Sequence, residues 1–236
     1  MAKTDNLSDF ITSLANTIRT KTNTTAPINP QDFETKINEM SNGDTEIFEN
    51  VLQGKASVTE FKNSNITALR KYALAYMPYL KTVELPNLKT LDSYSFGSCP
   101  NLRNLYLPNI STLGSNCFQN CTSLIEMVFT TTITTALSCF SSCTKLKKVD
   151  FANLSSSIAT KMFQGCSAFD TLIIRKTASV VALTNVHAFT GTLVESGTGY
   201  VYVPSTLVES YKTATNWVTY ANQIRAIEDY PEITGG

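Results

Sequence analysis

Six cysteines are the residues of this 236-residue chain most able to do chemistry, and four of them form two C-x3-C pairs, NCFQNC (116–121) and SCFSSC (138–143). Thiolates so spaced suit zinc, which takes four close sulfur or nitrogen ligands, or thiol–disulfide exchange. The only histidine, His187, lies well away from both pairs. Other chemistry has less support. The sequence holds no G-x-x-x-x-G-K, G-x-G-x-x-G or H-E-x-x-H motif. Glu209 and the Glu228-Asp229 pair read as solvated carboxylates. Glycosidase chemistry needs two carboxylates brought together, and no spacing here selects such a pair.

Internal repetition explains the thiols more simply. LAYMPYLKTVEL (74–85), FGSCPNLRNLYL (96–107), FQNCTSLIEMVF (118–129) and FSSCTKLKKVDF (140–151) each begin 22 residues after the last, and FQGCSAFDTLII (163–174) follows after 23. Four apolar columns run through these units. The first holds Leu74, Phe96, Phe118, Phe140 and Phe163, and the second Leu80, Leu102, Leu124, Leu146 and Phe169. The third and fourth run from Val83 to Leu172 and from Leu85 to Ile174. Cys99, Cys121, Cys143 and Cys166 occupy one further column, where the first unit has Met77; Cys117 and Cys139 form a shorter one. A small, soft group repeated once per coil packs well in a buried ladder. The cysteines are therefore expected to be packing thiols, with no metal or cofactor. Stacked coils could still gather several thiols, and zinc stoichiometry in metal-free preparations would decide between the readings.

Each unit ends in period-two alternation, L-x-x-V-x-L, the signature of a half-buried strand. Short strands recurring every 22 residues and joined by Pro-Asn turns (86–87, 108–109) predict an α/β solenoid with a parallel sheet along one side. The stretch between strands has room for a short helix or an irregular arch. No unit can bury its apolar side alone, and each fully buried Phe or Leu contributes roughly 1.5–3 kcal/mol once coils stack.

The pattern L-x-x-L-G-x-x-x-F-x-x-C-x-x-L-x-x-V-x-L-P resembles the BspA-type leucine-rich repeat. LKTLDSYSFGSCPNLRNLYLP (88–108) and ISTLGSNCFQNCTSLIEMVF (110–129) match it best, and the resemblance covers about residues 58–203. It implies a leucine-rich-repeat solenoid and, commonly, an adhesin or recognition module at a surface. LSDFITSLANTIRTKTNTTAPINPQDFETKINEM (7–40) is similar to a leader on structural, often tail-associated, proteins of phages of Gram-positive bacteria. YVPSTLVESYKTATNW (202–217) is similar to a run that ends such proteins.

The flanks can also be read physically. Phe10, Ile11, Leu14 and Ile18 lie on one helical face, and Phe33 and Ile37 on a second helix whose start, Asn29-Pro30, suits an N-cap. Residues 1–43 are expected to be a docking or oligomerisation element, or else a pair of helices packed on the first coil. Residues 44–203 form the solenoid and 204–236 a C-terminal cap. HAFTGT (187–192) reads as a degraded F-x-x-C element, with Thr192 in the cysteine column. Val201 and Val203 read as a final strand, Ser205 as the cap of a helix through Tyr211, and Trp217, Tyr220, Ile224 and Ile227 as the stripe of another.

Composition narrows the partners. The 19 basic and 19 acidic residues cancel, which argues against nucleic acid or anionic membrane. No stretch approaches the roughly 20 apolar residues of a membrane span. The first twenty residues lack the apolar core of a secretory signal. What remains is the outward strand face. One column runs Glu84, Tyr106, Val128, Asp150 and Ile173; beside it lie Asn104, Glu126 and Lys148. Apolar and aromatic groups mixed with charge suit recognition of a glycan or protein, or contact with neighbouring subunits. Together with the resemblance, the expectation is a non-enzymatic, homo-oligomeric virion protein. It would be made in the host cytoplasm, associate with other virion proteins, with the tail as its expected place, and bind a bacterial surface glycan or protein. The alternative is a capsid or tail decoration that stabilises the particle without binding a receptor. Removing one 22-residue unit in register, residues 118–139, should lower the unfolding midpoint yet leave cooperative unfolding, whereas removing half a unit should abolish it. Circular dichroism melts compare the two.

Overall fold

The computed structural model describes residues 58–155, 157–176 and 178–234. The expected N-terminal docking element, with Phe10, Ile11, Leu14, Ile18, Phe33 and Ile37, lies outside the described residues. The remainder is a leucine-rich-repeat solenoid in which every strand pairing is parallel.

Each coil of the first half has three sides. The first carries β1 (Glu60–Lys62), β3 (Thr82–Glu84) or β5 (Asn104–Tyr106), and the second carries β2 (Ala68–Leu69), β4 (Thr90–Leu91) or β6 (Thr112–Leu113). The two-residue strands of the second side make a sheet that the sequence pattern does not announce. In the following coils β7 (Glu126–Thr135) and β8 (Lys148–Leu154) run through both sides, followed by β9 (Thr171–Ile174), β10 (Tyr200–Val203) and β11 (Ile224–Ala226).

The third side is the irregular arch rather than a helix. It consists of successive turns, and alternate N–H groups bond either within the turn or to the next coil. Tyr94, Phe96 and Ser98 donate to the carbonyls of Ser115, Cys117 and Gln119 at 2.9, 2.8 and 2.7 Å. Phe118 donates to Cys139 at 2.9 Å and Phe140 to Met162 at 3.0 Å. The geometry requires positive φ at two positions per coil, among them Tyr94 (58°), Ser98 (61°), Asn116 (57°), Asn120 (59°) and Gly165 (75°). Gly114 serves a different need. A Cβ there would lie 2.6 Å from the Asp92 backbone, so the coils approach only without one.

Inside, Phe96, Phe118, Phe140, Phe163 and Phe189 form one stack, with successive centroids 5.4, 5.5, 5.8 and 5.7 Å apart. Offset-stacked rings at that spacing add to the burial energy. All six thiols are free and buried. Cys99, Cys121, Cys143 and Cys166 point at the preceding coil, donating to the carbonyls of Leu74, Phe96, Phe118 and Phe140 at 3.0–3.2 Å. Burial pushes the Cys99 thiol up to about 12, and it raises Cys117, Cys121 and Cys143 well above the ordinary value.

The cap departs from its sequence reading. Phe189 continues the ring stack, while Thr192 caps the short helix α1 (Leu193–Ser196) by accepting the Glu195 N–H. Ser205 is not an N-cap: a 3-10 turn, Ser205–Leu207, leads into α2 (Val208–Thr213), and the Ser205 N–H donates to Glu228. The expected helical stripe is split among a 3-10 turn (Trp217–Gln223), β11 and a second 3-10 turn (Ile227–Asp229) before α3 (Pro231–Thr234). Hence β11, not β10, is the final strand. Positive φ at Asn216 (64°) and a non-helical Tyr220 break the helix. The cap is held by polar tips of buried rings. Trp217 Nε1 donates to the Val181 carbonyl at 2.7 Å, the Val181 N–H donates to Tyr211 Oη at 2.9 Å, and Tyr220 Oη donates to Val186 at 2.6 Å.

Buried thiols with raised pKa make an alkaline prediction. The folded protein keeps the proton that the unfolded chain loses near 9.0, so stability is complete below that pH. It declines as pH rises from there toward about 12. Denaturation midpoints should be flat with pH through 8 and fall beyond 9, and a thiol-reactive chromophore at neutral pH should label none of the six cysteines before unfolding.

Candidate functional site

The strand face is where the sequence placed binding residues, and the structure divides it. Tyr106 and Val128 are 57% and 55% exposed, and Asn104 and Glu126 are also exposed. Glu84 and Lys148 are half-buried in ion pairs: Glu84 with Lys62 at 2.9 Å, Lys148 with Glu126 at 3.2 Å. Asp150 and Ile173 lie on the outward face in register with Val128 but are covered, at 5% and 0% exposure. Arg175 reaches back over Asp150 and donates Nε and Nη2 to its carboxylate at 2.9 and 2.8 Å. That carboxylate in turn holds the Arg175 guanidinium above its ordinary pKa. On β10, Tyr202 stands beside Ile173 and packs edge-on against Tyr230, centroids 5.4 Å apart. Arg175 and the C-terminal segment thus close the face from β8 onward.

Between β5 and β7 the face opens into a cleft of about 580 Å³, lined by Asn104, Leu105, Tyr106, Glu126, Met127 and Val128 among others. A neighbouring hollow of about 420 Å³ is lined by Lys62, Asn63, Glu84 and Tyr106. Tyr106 and Glu84 line both.

The cleft exists because the first sheet is interrupted. The order is β1-β3-β5 in one sheet and β2-β4-β6-β7-β8-β9-β10-β11 in the other, with β5 unpaired to β7. On either side of the break the two coils stay joined. Thr122 Oγ1 donates to Pro100 at 3.2 Å before it, and Thr134 N–H to Ser111 at 2.8 Å after it. The cause is the corner. Leu107-Pro108-Asn109-Ile110 turns sharply, and the Asn109 amide clips to the Pro86 carbonyl at 2.7 Å. The next coil has Phe129-Thr130-Thr131-Thr132-Ile133 instead, and β-branched threonines favour continuous strand. β7 therefore continues through the corner for ten residues, with a register irregularity against β8 between Phe129 and Thr132, and its first half is left unpaired with β5.

The core is thinnest here. Leu105 is half-buried, Leu107 is 9% and Met127 6% exposed, while Val83, Val149 and Leu172 in the same column as Leu105 are at 0%. Sequence reasoning found Tyr106 and Val128 but not the break, since both strands keep the repeat pattern. The one signal was loss of Pro-Asn after Phe129. It also missed a tyrosine ladder on the turn side, where Tyr72 stacks on Tyr94 and Tyr76 at 5.0 and 6.4 Å; spacing of Tyr72 to Tyr94 by one repeat could have revealed it. The Trp217–Tyr220 pair is core, at 0% and 4% exposure, and His187 is exposed on the 3-10 turn Val186–Phe189.

Residues 45–170 match the family model described as BspA type leucine rich repeat region, in six copies. The chain belongs to the BspA-type leucine-rich repeat family. Among solved structures, the pneumococcal vaccine antigen PcpA is similar at a TM-score of 0.54 and 15% identity, over 72% of this chain and 40% of that one. A leucine rich cell surface protein from Faecalibacterium prausnitzii A2-165 is similar at 0.44 and 19% identity, over 49% of this chain and 32% of that one. This BspA-type chain therefore corresponds to less than half the length of either. No curated protein gives a significant match.

The interruption predicts a local exchange pattern. Amides of Leu107 and Ile125 should exchange with deuterium at least tenfold faster than those of Leu85 and Lys147, which are bonded at equivalent places in other coils. Residue-resolved exchange measured on the free protein checks this.

Proposed function

We propose that this chain is a non-enzymatic recognition module that binds a bacterial surface glycan or protein through the open half of its first sheet. In this reading it is a virion protein, made in the host cytoplasm and associated with the tail. Residues 1–43 then join it to copies of itself or to other tail proteins. The observation that carries the reading is Tyr106, an exposed aromatic on β5 that lines both hollows. Aromatics on ordered elements supply contact area at little entropic cost, which suits a binding hot spot.

Family membership supports a recognition role, since the BspA-type resemblance implies surface adhesins. The tail assignment is supported by the similarity of residues 7–40 and 202–217 to phage structural proteins. Thiol catalysis is disfavoured on physical grounds. A nucleophilic cysteine needs exposure and a lowered pKa, whereas these are buried and the resolved shifts are all upward.

The test is binding of the labelled full-length chain to a panel of Gram-positive cells. The expected result is saturable, strain-selective binding that Tyr106→Ala weakens about tenfold, close to 1.4 kcal/mol, without a change in melting temperature. Undiminished binding by Tyr106→Ala would move the site elsewhere. Absence of binding to every strain would favour the particle-stabilising decoration role.

A further inference from the structure

An interrupted parallel sheet leaves two strand edges facing one another. In the preceding coil the Leu85 N–H donates to the Tyr106 carbonyl at 3.0 Å, but the Leu107 N–H has no such bond to Val128. Arg103 N–H donates to Lys81 at 3.1 Å and Lys147 N–H to Ile125 at 2.8 Å, but the Ile125 N–H makes no equivalent bond to Arg103. Unpaired backbone donors and acceptors on a strand edge are a template for another strand. Here the template is double, and the solenoid's continuous sides hold its two halves in place.

We propose that the gap between β5 and β7 is a peptide-binding slot, which takes an extended segment of a partner protein as an additional strand of the first sheet. The proposal rests on the reading that this sheet is the recognition face, and it specifies the ligand as peptide rather than glycan. A sugar can stack on Tyr106, but it cannot bond two strand edges in register. A peptide strand satisfies both edges with its own backbone.

The lining defines the side chains. Because strand residues alternate, one set of ligand side chains faces inward toward Leu105 and Met127, where the core is thinnest. The other set emerges between Tyr106 and Val128. Glu84 and Glu126 are already paired with Lys62 and Lys148. Arg103, exposed at the entrance, has no ion pair among the described residues. The matching ligand is thus about five extended residues, roughly 16 Å long, with apolar β-branched residues at alternate positions and a carboxylate placed to meet Arg103.

The probe is an array of acetylated, amidated octapeptides alternating Val, Ile, Leu or Tyr with Thr, Ser, Gln or Lys, each made with and without one Asp and presented to the full-length chain. We expect a subset to bind with a preference for Asp and to slow exchange at Leu105, Leu107, Ile125 and Val128. N-methylation of alternate peptide amides should weaken those binders at least tenfold. Ile125→Pro removes an N–H that the free protein does not use, so it should lower peptide binding at least tenfold at an unchanged melting temperature. Arg103→Pro breaks the existing bond to Lys81 and should destabilise the fold. If Ile125→Pro fails to fold, the N-methyl comparison on the unaltered chain still decides. No binder in the array, or binders indifferent to N-methylation, would overturn the slot. Cell binding that still depends on Tyr106 would then leave the recognition face standing with a glycan as its ligand. Peptide binding in the slot with cell binding indifferent to Tyr106→Ala would instead retain the slot and remove the cell-recognition reading.

Discussion

The constraint on which the rest of the structure depends is the turn-side ladder, where alternate N–H groups of one coil reach the carbonyls of the next. It fixes the pitch. A coil held at hydrogen-bond distance along its turns has no freedom to choose how far its side chains lie from those below. The phenylalanine stack and the thiol-to-carbonyl contacts follow from that spacing. The ladder is demanding at two positions per coil, where φ is positive. Asn116, Asn120 and Gly165 adopt it readily, whereas Tyr72, Tyr76, Tyr94 and Lys161 do so against preference. A strained residue of this kind costs on the order of 1 kcal/mol and persists because neighbouring coils over-determine it.

With the turns and the second side both fixed, any mismatch between coils must appear on the remaining side. It appears between β5 and β7, where a Pro-Asn corner meets a threonine run. The cleft is therefore rigidly framed: the coils are hinged open on one side and bonded on the others. Such a frame keeps two strand edges apart without a loop to order, so little entropy is lost when something enters.

The apolar columns, the repeat length and the fate of the cysteines were legible because each depends on local spacing repeated many times. Leu80, Leu102, Leu124, Leu146 and Phe169 are all fully buried as the pattern implies. Asp150 and Ile173 were misread for the opposite reason. Their cover comes from Arg175 and from the strand and tail beyond, and no periodicity within the repeats encodes it. Two-residue strands such as β4 and β6 are too short to print an alternation. The cap's stripe at Trp217, Tyr220 and Ile224 correctly marked burial, but spacing alone does not distinguish a helix from a 3-10 turn followed by a strand. The break was nearly invisible, since it lies in the corner rather than in the strands.

Closure of the face from β8 onward concentrates what is open into the coils of β1 to β7. There the strand-face carboxylates are matched, with Lys62 between Glu60 and Glu84 and Lys148 on Glu126, while Arg103 has no ion pair among the described residues. Exposed pairs of this kind contribute little to stability, but they weaken the field that would steer a charged partner from a distance. With the whole chain also neutral, the proposed association relies on shape, apolar contact, backbone pairing and the Arg103 charge at close range. Contacts over so small an opening give modest affinity per chain. If several copies are displayed on one particle, as the proposed role requires, rebinding within a shared surface raises the effective concentration and converts weak contacts into firm attachment. A neutral, rigid, narrowly open module is thus better matched to multivalent capture than to tight one-to-one binding.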